Sequence, residues 1–334
     1  MDAVGSHEVM DALNSVKCSE LPNTRSKVVT ITTQTPLLEG FQILLNERIQ
    51  SAPVWDEKKN QWIGFLEMRD LISYCVAEEA AHATAADSEL SMHMYMMQAL
   101  RLSETKADID QSEEKPMHSR VGYLAAMHPF KAIRPEDTLK DAVILLAARN
   151  THRVAMVEPE NPQVICNILS QSSVIAYIST HMSELEGLVT KTVLELGLGS
   201  RPCVAVKDTE SALAALKMVD THSFSAMAVV DSEDGKLMGN TSGSDLGYFL
   251  SSEVSLHTPV LDFLAQAKQA QPVRTKDTNT TITCHNSDPL KKVVARLAKT
   301  EVHHVFIVDD NRVPLGVISV SDICRLLASK CISA

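Results

Sequence analysis

Apolar residues recur along this chain in two alternating rhythms. At Leu290, Val293, Val294, Leu297 and Ala298 they fall at offsets 0, 3, 4, 7 and 8, which is one face of a helix. Leu139, Ala142, Val143, Leu146 and Ala147 repeat the same offsets. The helix face at 290 is followed by HVFIVDDNRVPLGVISVSDICRLL (304–327), an apolar run, a polar turn, a second apolar run and a new helical rhythm. The pattern predicts helix, strand, turn, strand and helix.

The same order occurs three more times. SAPVWDEKKNQWIGFLEMRDLISY (51–74) and FSAMAVVDSEDGKLMGNTSGSDLGYFL (224–250) carry Gly64 and Gly239 six residues before Asp70 and Asp245, as Gly316 precedes Asp322. HRVAMVEPENPQVICNILSQSSVIAYI (152–178) is a degenerate copy, with Asn167 at the Gly position and Ser173 at the Asp position. From helix face to Asp position the separations are 32 (Leu38 to Asp70), 34 (Leu139 to Ser173), 32 (Leu213 to Asp245) and 32 (Leu290 to Asp322). Each copy is also preceded by a short strand, so the unit is βαββα and the chain is an internal repeat of four.

The spacing divides the chain into a leader (1–26), repeats at 27–78, 119–180, 195–252 and 276–330, and two joining stretches. The first, 79–118, is helical in its Ala- and Met-rich half and then acidic; the second, 253–275, is a linker. The leader shows little to bury and is expected to be flexible.

Composition removes several classes of function. A net charge of −11 with 4% aromatic residues offers neither a basic stripe nor a stacking surface for nucleic acid. No apolar run approaches the roughly 20 residues of a membrane helix. The seven cysteines are scattered with no CxxC pair, which fits small apolar side chains in a reducing compartment rather than a disulfide or zinc framework. The Met- and His-rich stretch SMHMYMMQALRL (91–102) places Met92, Tyr95, Met96, Ala99 and Leu100 on one helical face, a packing pattern rather than a copper site. LGLGS (196–200) lacks the third glycine of a dinucleotide loop, and no nucleophile–base set or kinase signature occurs, so no catalysis and no catalytic cofactor are expected.

Repeated βαββα units ending in Gly-h-h-Ser-h-Ser-Asp resemble CBS domains. Four of them in a chain of this length, with APVWDEKKNQWIGFL, THRVAMVE and VHHVFIVD, resemble the gamma regulatory subunits of the AMP-activated and sucrose-non-fermenting-type protein kinases. The resemblance covers residues 27 to 330. It implies an α/β fold in which four tandem repeats form two CBS-pair modules, 27–180 and 195–330, packed face to face as a pseudo-symmetric disc. It further implies AMP, ADP and ATP as ligands near the centre, kinase alpha- and beta-type subunits as partners in a heterotrimer, and a cytoplasmic or nuclear location.

Two roles are open to the carboxylates Asp70, Asp245 and Asp322. Each opens a helix, where a carboxylate accepts from backbone N–H or from the two hydroxyls of a ribose. Ser319-x-x-Asp322 and Ser242-x-x-Asp245 are also capping-box patterns. By the resemblance, the aspartates hold ribose and Ser225 and Ser319 donate hydroxyls to AMP. The strand-opening pairs His152-Arg153 and His303-His304 hold phosphates, and Arg274 is a further phosphate ligand. Imidazole and guanidinium suit that task as donors, Arg bidentately.

Three departures weaken the cluster. Gln50, Ser172 and His304 stand where the resemblance calls for basic residues. A charge-assisted hydrogen bond contributes ~1.5–3 kcal/mol, so losing two weakens a triphosphate site by about two to four orders of magnitude. Asp70 then belongs to an impaired site, and Ser173 leaves repeat two without a ribose carboxylate. The site expected to survive is built on Asp322 with Ser319, Ser225, His152 and His303, followed by Asp245 with Arg153. Two other readings remain: a stand-alone four-CBS adaptor with weak or no nucleotide binding, and a regulator that takes a phosphate-free adenosyl ligand such as S-adenosylmethionine.

Overall fold

The computed structural model describes residues 3–21, 27–74, 121–222, 226–242, 255–269 and 281–332. The joining stretch 79–118, with the Met-rich segment, lies outside the described residues, as do Ser225, Asp245 and Arg274.

Four three-stranded sheets account for the strand patterns of the four repeats. They are β1 (Ile31–Thr32), β2 (Ser51–Asp56) and β3 (Gln61–Glu67); β4 (Ala132–Ile133), β5 (Arg153–Val157) and β6 (Ile165–Ser170); β7 (Ala205–Lys207), β8 (Ala226–Val230) and β9 (Leu237–Ser242); and β10 (Thr283–Cys284), β11 (His304–Val308) and β12 (Pro314–Ser319). In each, the short first strand runs parallel to the middle strand, which pairs antiparallel with the third. The parallel pair needs a crossover, and the amphipathic helix between the two strands supplies it. Those helices are α2 (Leu37–Asn46), α4 (Leu139–Leu146), α7 (Ala212–His222) and α9 (Leu290–Thr300).

The remaining helices are α1 (Ala3–Asn14), α3 (Val121–Ala126), α5 (Gln171–Thr180), α6 (Glu186–Val189), α8 (Val260–Gln269) and α10 (Val320–Ile332). All four hairpins shift register at one equivalent place, between Val54 and Trp55, Met156 and Val157, Val229 and Val230, and Ile307 and Val308. The extra residue bends each hairpin in the same sense.

Sheets meet within a module and helices meet across modules. Phe65 of the first repeat packs with Ala155 and Val157 of the second, while Ala228 and Leu237 of the third pack with Phe306 and Val308 of the fourth. One larger core joins repeats one and three through Phe41, Leu44, Leu216 and Phe263. The other joins repeats two and four through Leu139, Leu146, Val293 and Leu327.

Two expectations need correction. The described part of the leader, residues 3–21, is not a flexible tail: Val9, Ala12, Leu13 and Val16 are buried in the core of repeats two and four, with Leu13 fully enclosed. Their offsets 0, 3, 4 and 7 are themselves a helical face. The stretch 253–275 is likewise more than a linker, because α8 buries Val260, Phe263 and Leu264 against repeats one and three.

The repeated glycine has two different jobs. A Cβ on Gly64 would overlap the carbonyl oxygens of Ala125 and His128, where the chain entering repeat two lies along β3. A Cβ on Gly316 would overlap the Gly199 carbonyl in the chain entering repeat three. At Gly239 the Cβ meets Leu261 at an ordinary 3.4 Å.

Gly64→Ala and Gly316→Ala should therefore each cost ~1–3 kcal/mol in urea unfolding, as overpacking does, while Gly239→Ala stays near neutral. Equal costs at all three would show that chain approach is not what the glycines serve. Leu13→Ala should cost ~2–5 kcal/mol as a core truncation; a cost near zero would return α1 to the surface.

Candidate functional site

The hairpin register carries the repeat into the site. His152 precedes β5 and its carbonyl accepts from Gln171 N at 3.1 Å; His303 precedes β11 and its carbonyl accepts from Val320 N at 2.9 Å. Across each hairpin, Arg153 faces Ser170, His304 faces Ser319, Ala226 faces Ser242 and Ser51 faces Glu67. The first repeat thus places a carboxylate where the other three place serine.

Strand ends of the first, second and fourth repeats converge on one cleft, to which the third contributes from α7. Gln50, Glu67, Arg69 and Ser73 come from the first, His152, Arg153, Ser170 and Ser172 from the second, Val219 and Asp220 from the third, and His303, Ser319 and Ser321 from the fourth. Counting the solvent in its open mouth, the cleft spans about 890 Å³. A neighbouring cleft of about 650 Å³ shares Gln50, Arg153 and Ser170 and adds Ser51 and Asn167. The Ser51 hydroxyl and the Asn167 amide nitrogen are buried there without a hydrogen-bond partner among the described residues.

Of the expected residues, His152, Arg153, His303 and Ser319 share the main cleft. Asp322 lies beside it and serves as a cap. Its Oδ2 accepts from Ser319 N at 2.8 Å and from Ser319 Oγ at 2.7 Å, and its Oδ1 accepts from Arg325 at 3.0 Å. His304 does not reach the cleft: it is 9% exposed, with Nε2 accepting from Asn240 Nδ2 at 3.1 Å. Asp70 is also withdrawn, 5% exposed, with Oδ1 2.7 Å from His128 Nε2 and Oδ2 accepting from Glu67 N at 2.9 Å. As placed, Asp70 has no oxygen turned toward a cleft ligand.

Glu67, Arg69 and His128 are the residues that motif reading missed. Both oxygens of Glu67 lie 3.1–3.2 Å from His152 Nδ1, and Arg153 donates to its Oε1 at 3.4 Å. Burial works to raise the Glu67 pKa. The hydrogen bond from His152 and the charges of His152, Arg153 and His128 outweigh it and hold the carboxyl at about 2. Glu67 is therefore an anion at neutral pH, and the two side chains it holds, His152 and Arg153, are those expected to hold phosphate. The column Glu67, Ser170, Ser242, Ser319 was visible in the repeats and marks Glu67 as the odd member. Arg69 brings to the cleft a basic group that Ser172 does not.

Burial opposes a charge on His128, but its hydrogen bond to Asp70 and the nearby Glu67 and Asp70 carboxylates raise its pKa. Burial also raises Asp70, and the bond to His128 only partly offsets it. His303 is pushed below the usual histidine range, first by desolvation of the ring and then by the Arg153 and His152 charges. Since its residue surface remains open to water in the cleft, desolvation there is weaker than at His304. Burial, with the adjacent His303 charge, brings His304 down to about 4.

The fold is that of tandem CBS domains. The CBS domain matches residues 18–77, 195–246 and 276–329; residues 119–180 fall outside those segments yet form the same sheet. The structure resembles protein MJ1225 of Methanocaldococcus jannaschii, described as a candidate archaeal gamma-subunit homologue of AMP-activated kinase, with TM-score 0.62 and 14% identity over 93% of this chain and 99% of that one. A conserved protein from Pyrococcus horikoshii superposes with TM-score 0.54 and 15% identity, over 93% and 100%.

Among curated proteins the chain is 26% identical to the 5'-AMP-activated protein kinase subunit gamma-3 of Bos taurus, over 97% of its length and 60% of the relative's. It is 24% identical to the gamma subunit of Dictyostelium discoideum, over 97% and 53%. The chain thus spans between about half and three fifths of these relatives. Among the described residues, no helix is long and apolar enough to cross a membrane.

The buried His304 sets a pH signature. The unfolded chain protonates it below about 6.5, the folded chain only below about 4. Its contribution is complete above that window and is lost as pH falls through it. His304→Asn should remove up to about 1–3 kcal/mol of the decline, giving a flatter plot of urea midpoint between pH 7 and 4.5. An unchanged slope would place the titration elsewhere.

Proposed function

We propose that this chain is a non-catalytic regulatory subunit that binds AMP, ADP or ATP in the central cleft and passes nucleotide occupancy to a serine/threonine kinase of the AMP-activated type. The observation that carries the reading is the convergence of His152, Arg153, Arg69, His303 and Ser319 from three repeats on one cleft. Phosphate would be held by guanidinium groups and by imidazole and hydroxyl donors, with Ser319 and Asp322 at the head of α10. The likeness to gamma subunits over 97% of the chain supports the kinase assignment, with alpha- and beta-type chains as partners. Sensing requires that nucleotides bind two states of the assembly unequally. Ser225, Asp245 and Arg274 remain proposed ligands on the same ground.

A second reading, the adaptor that binds nucleotide weakly or not at all, is favoured by Glu67. An incoming phosphate must displace that carboxylate from His152 and Arg153, in a cleft that has Gln50 and Ser172 at two expected basic positions.

Calorimetric titration of the folded chain with AMP, ADP and ATP separates the readings. Micromolar binding is expected, weakened about 10- to 100-fold by Arg153→Ala, which removes a charge-assisted bond, and tightened by Glu67→Gln. No heat at millimolar nucleotide from either the parent chain or Glu67→Gln would leave the adaptor. Co-purification with kinase alpha and beta chains tests the partner, and recovery of the chain without them would sink that half of the proposal.

A further inference from the structure

One ring nitrogen each from His128 and His152 and one Glu67 oxygen lie within 4.8 Å of one another. His128 Nε2 is held by Asp70 at 2.7 Å, while its Nδ1 is buried and has no hydrogen-bond partner among the described residues. The side chain is 8% exposed, so water does not readily satisfy that nitrogen. A carboxylate on one imidazole nitrogen with the other left open is the arrangement that metal-ligating histidines use, since the carboxylate fixes tautomer and ring orientation.

We propose that Glu67, His128 and His152 bind a divalent transition-metal ion of the zinc class, with Asp70 orienting His128 and a fourth position open toward the cleft. Two imidazoles and one carboxylate suit zinc-type ions over magnesium or calcium, which take oxygen ligands. Metal–ligand bonds of ~2.0–2.2 Å in a tetrahedron put ligand atoms about 3.3 Å apart. Glu67 and His152 already stand at 3.1–3.2 Å, so His128 has to close the remaining gap. Arg153, 3.4 Å from Glu67, would turn into the cleft and give up that contact. The ion would tie the end of β3 to the chain on either side of α4, the crossover helix of the second repeat.

The inference does not depend on nucleotide binding, and the test uses none. The full chain, stripped with EDTA, is titrated with zinc chloride by calorimetry and with cobalt(II) chloride by visible absorption. One equivalent should bind, with a cobalt spectrum of nitrogen–oxygen ligation. His128→Asn and His152→Ala should weaken binding at least 100-fold, and Asp70→Asn about 10- to 100-fold. Zinc should raise the melting temperature of the parent chain but not of His152→Ala. His152 is part-exposed, so that variant keeps the proposal testable if His128→Asn does not fold. No binding by the folded parent chain, zinc affinity unchanged in His152→Ala, or a thiolate charge-transfer band from the cysteines would overturn it.

Discussion

A three-stranded sheet whose first strand has only two or three residues cannot bury itself, and the whole architecture follows from that shortage. Each repeat has two apolar surfaces, a sheet face and the faces of its helices, and no partner within itself for both. The sheet faces are covered within a module, as Phe65 meets Ala155 and Phe306 meets Ala228. The helices are covered across modules, one with three and two with four. Two kinds of contact at each repeat close the four into a single body, and the strand ends are carried to its middle. The cleft is where the backbones stop, rather than a surface added to the fold.

Electrostatics then decide what that middle can hold. Strand ends of the first, second and fourth repeats meet there, with α7 of the third alongside, so whatever stands there is concentrated. Where those ends are all basic or hydroxylic, the centre attracts anions. Here one of them has become a carboxylate, and Glu67 neutralises part of what the second repeat supplies. The neighbouring Asp70 is matched by His128, whose segment lies along the same strand. The first repeat has thus turned its functional end inward, toward its own protein, while the fourth keeps Ser319 and His303 facing the cleft.

Much of the fold was legible because it rests on periodicity. The helix at 290–300 and its three relatives announce themselves by spacing, and the six-residue interval from Gly to Asp locates the hairpin exit in three of the four repeats. The site was legible only where residues repeat. His152 and His303 share one column and Ser319 belongs to another that is serine in three repeats, and Glu67 was passed over because it breaks that second column. His128 lies outside the repeated stretch, and its meeting with Asp70 exists only in three dimensions. Asp322 shows a limit of another kind: a capping carboxylate and a ribose-binding carboxylate are written with the same letters at the same spacing. The helix at 3–14 keeps the rhythm of a helical face, but it stands outside the repeated unit and no second copy marks it.

That helix has a consequence for how the body is made. Val9 and Leu13 are buried against Leu139 and Leu146 but also share their core with Ile323 and Leu327 near the other end of the sequence. In a chain synthesised from its amino end, this apolar face emerges ahead of all four repeats and reaches its final surroundings only after the fourth has been made. Until then it is an unsatisfied, sticky surface, and closing so large a loop is entropically slow. The early segment thus works as a clasp: the last helix has to arrive before it can shut.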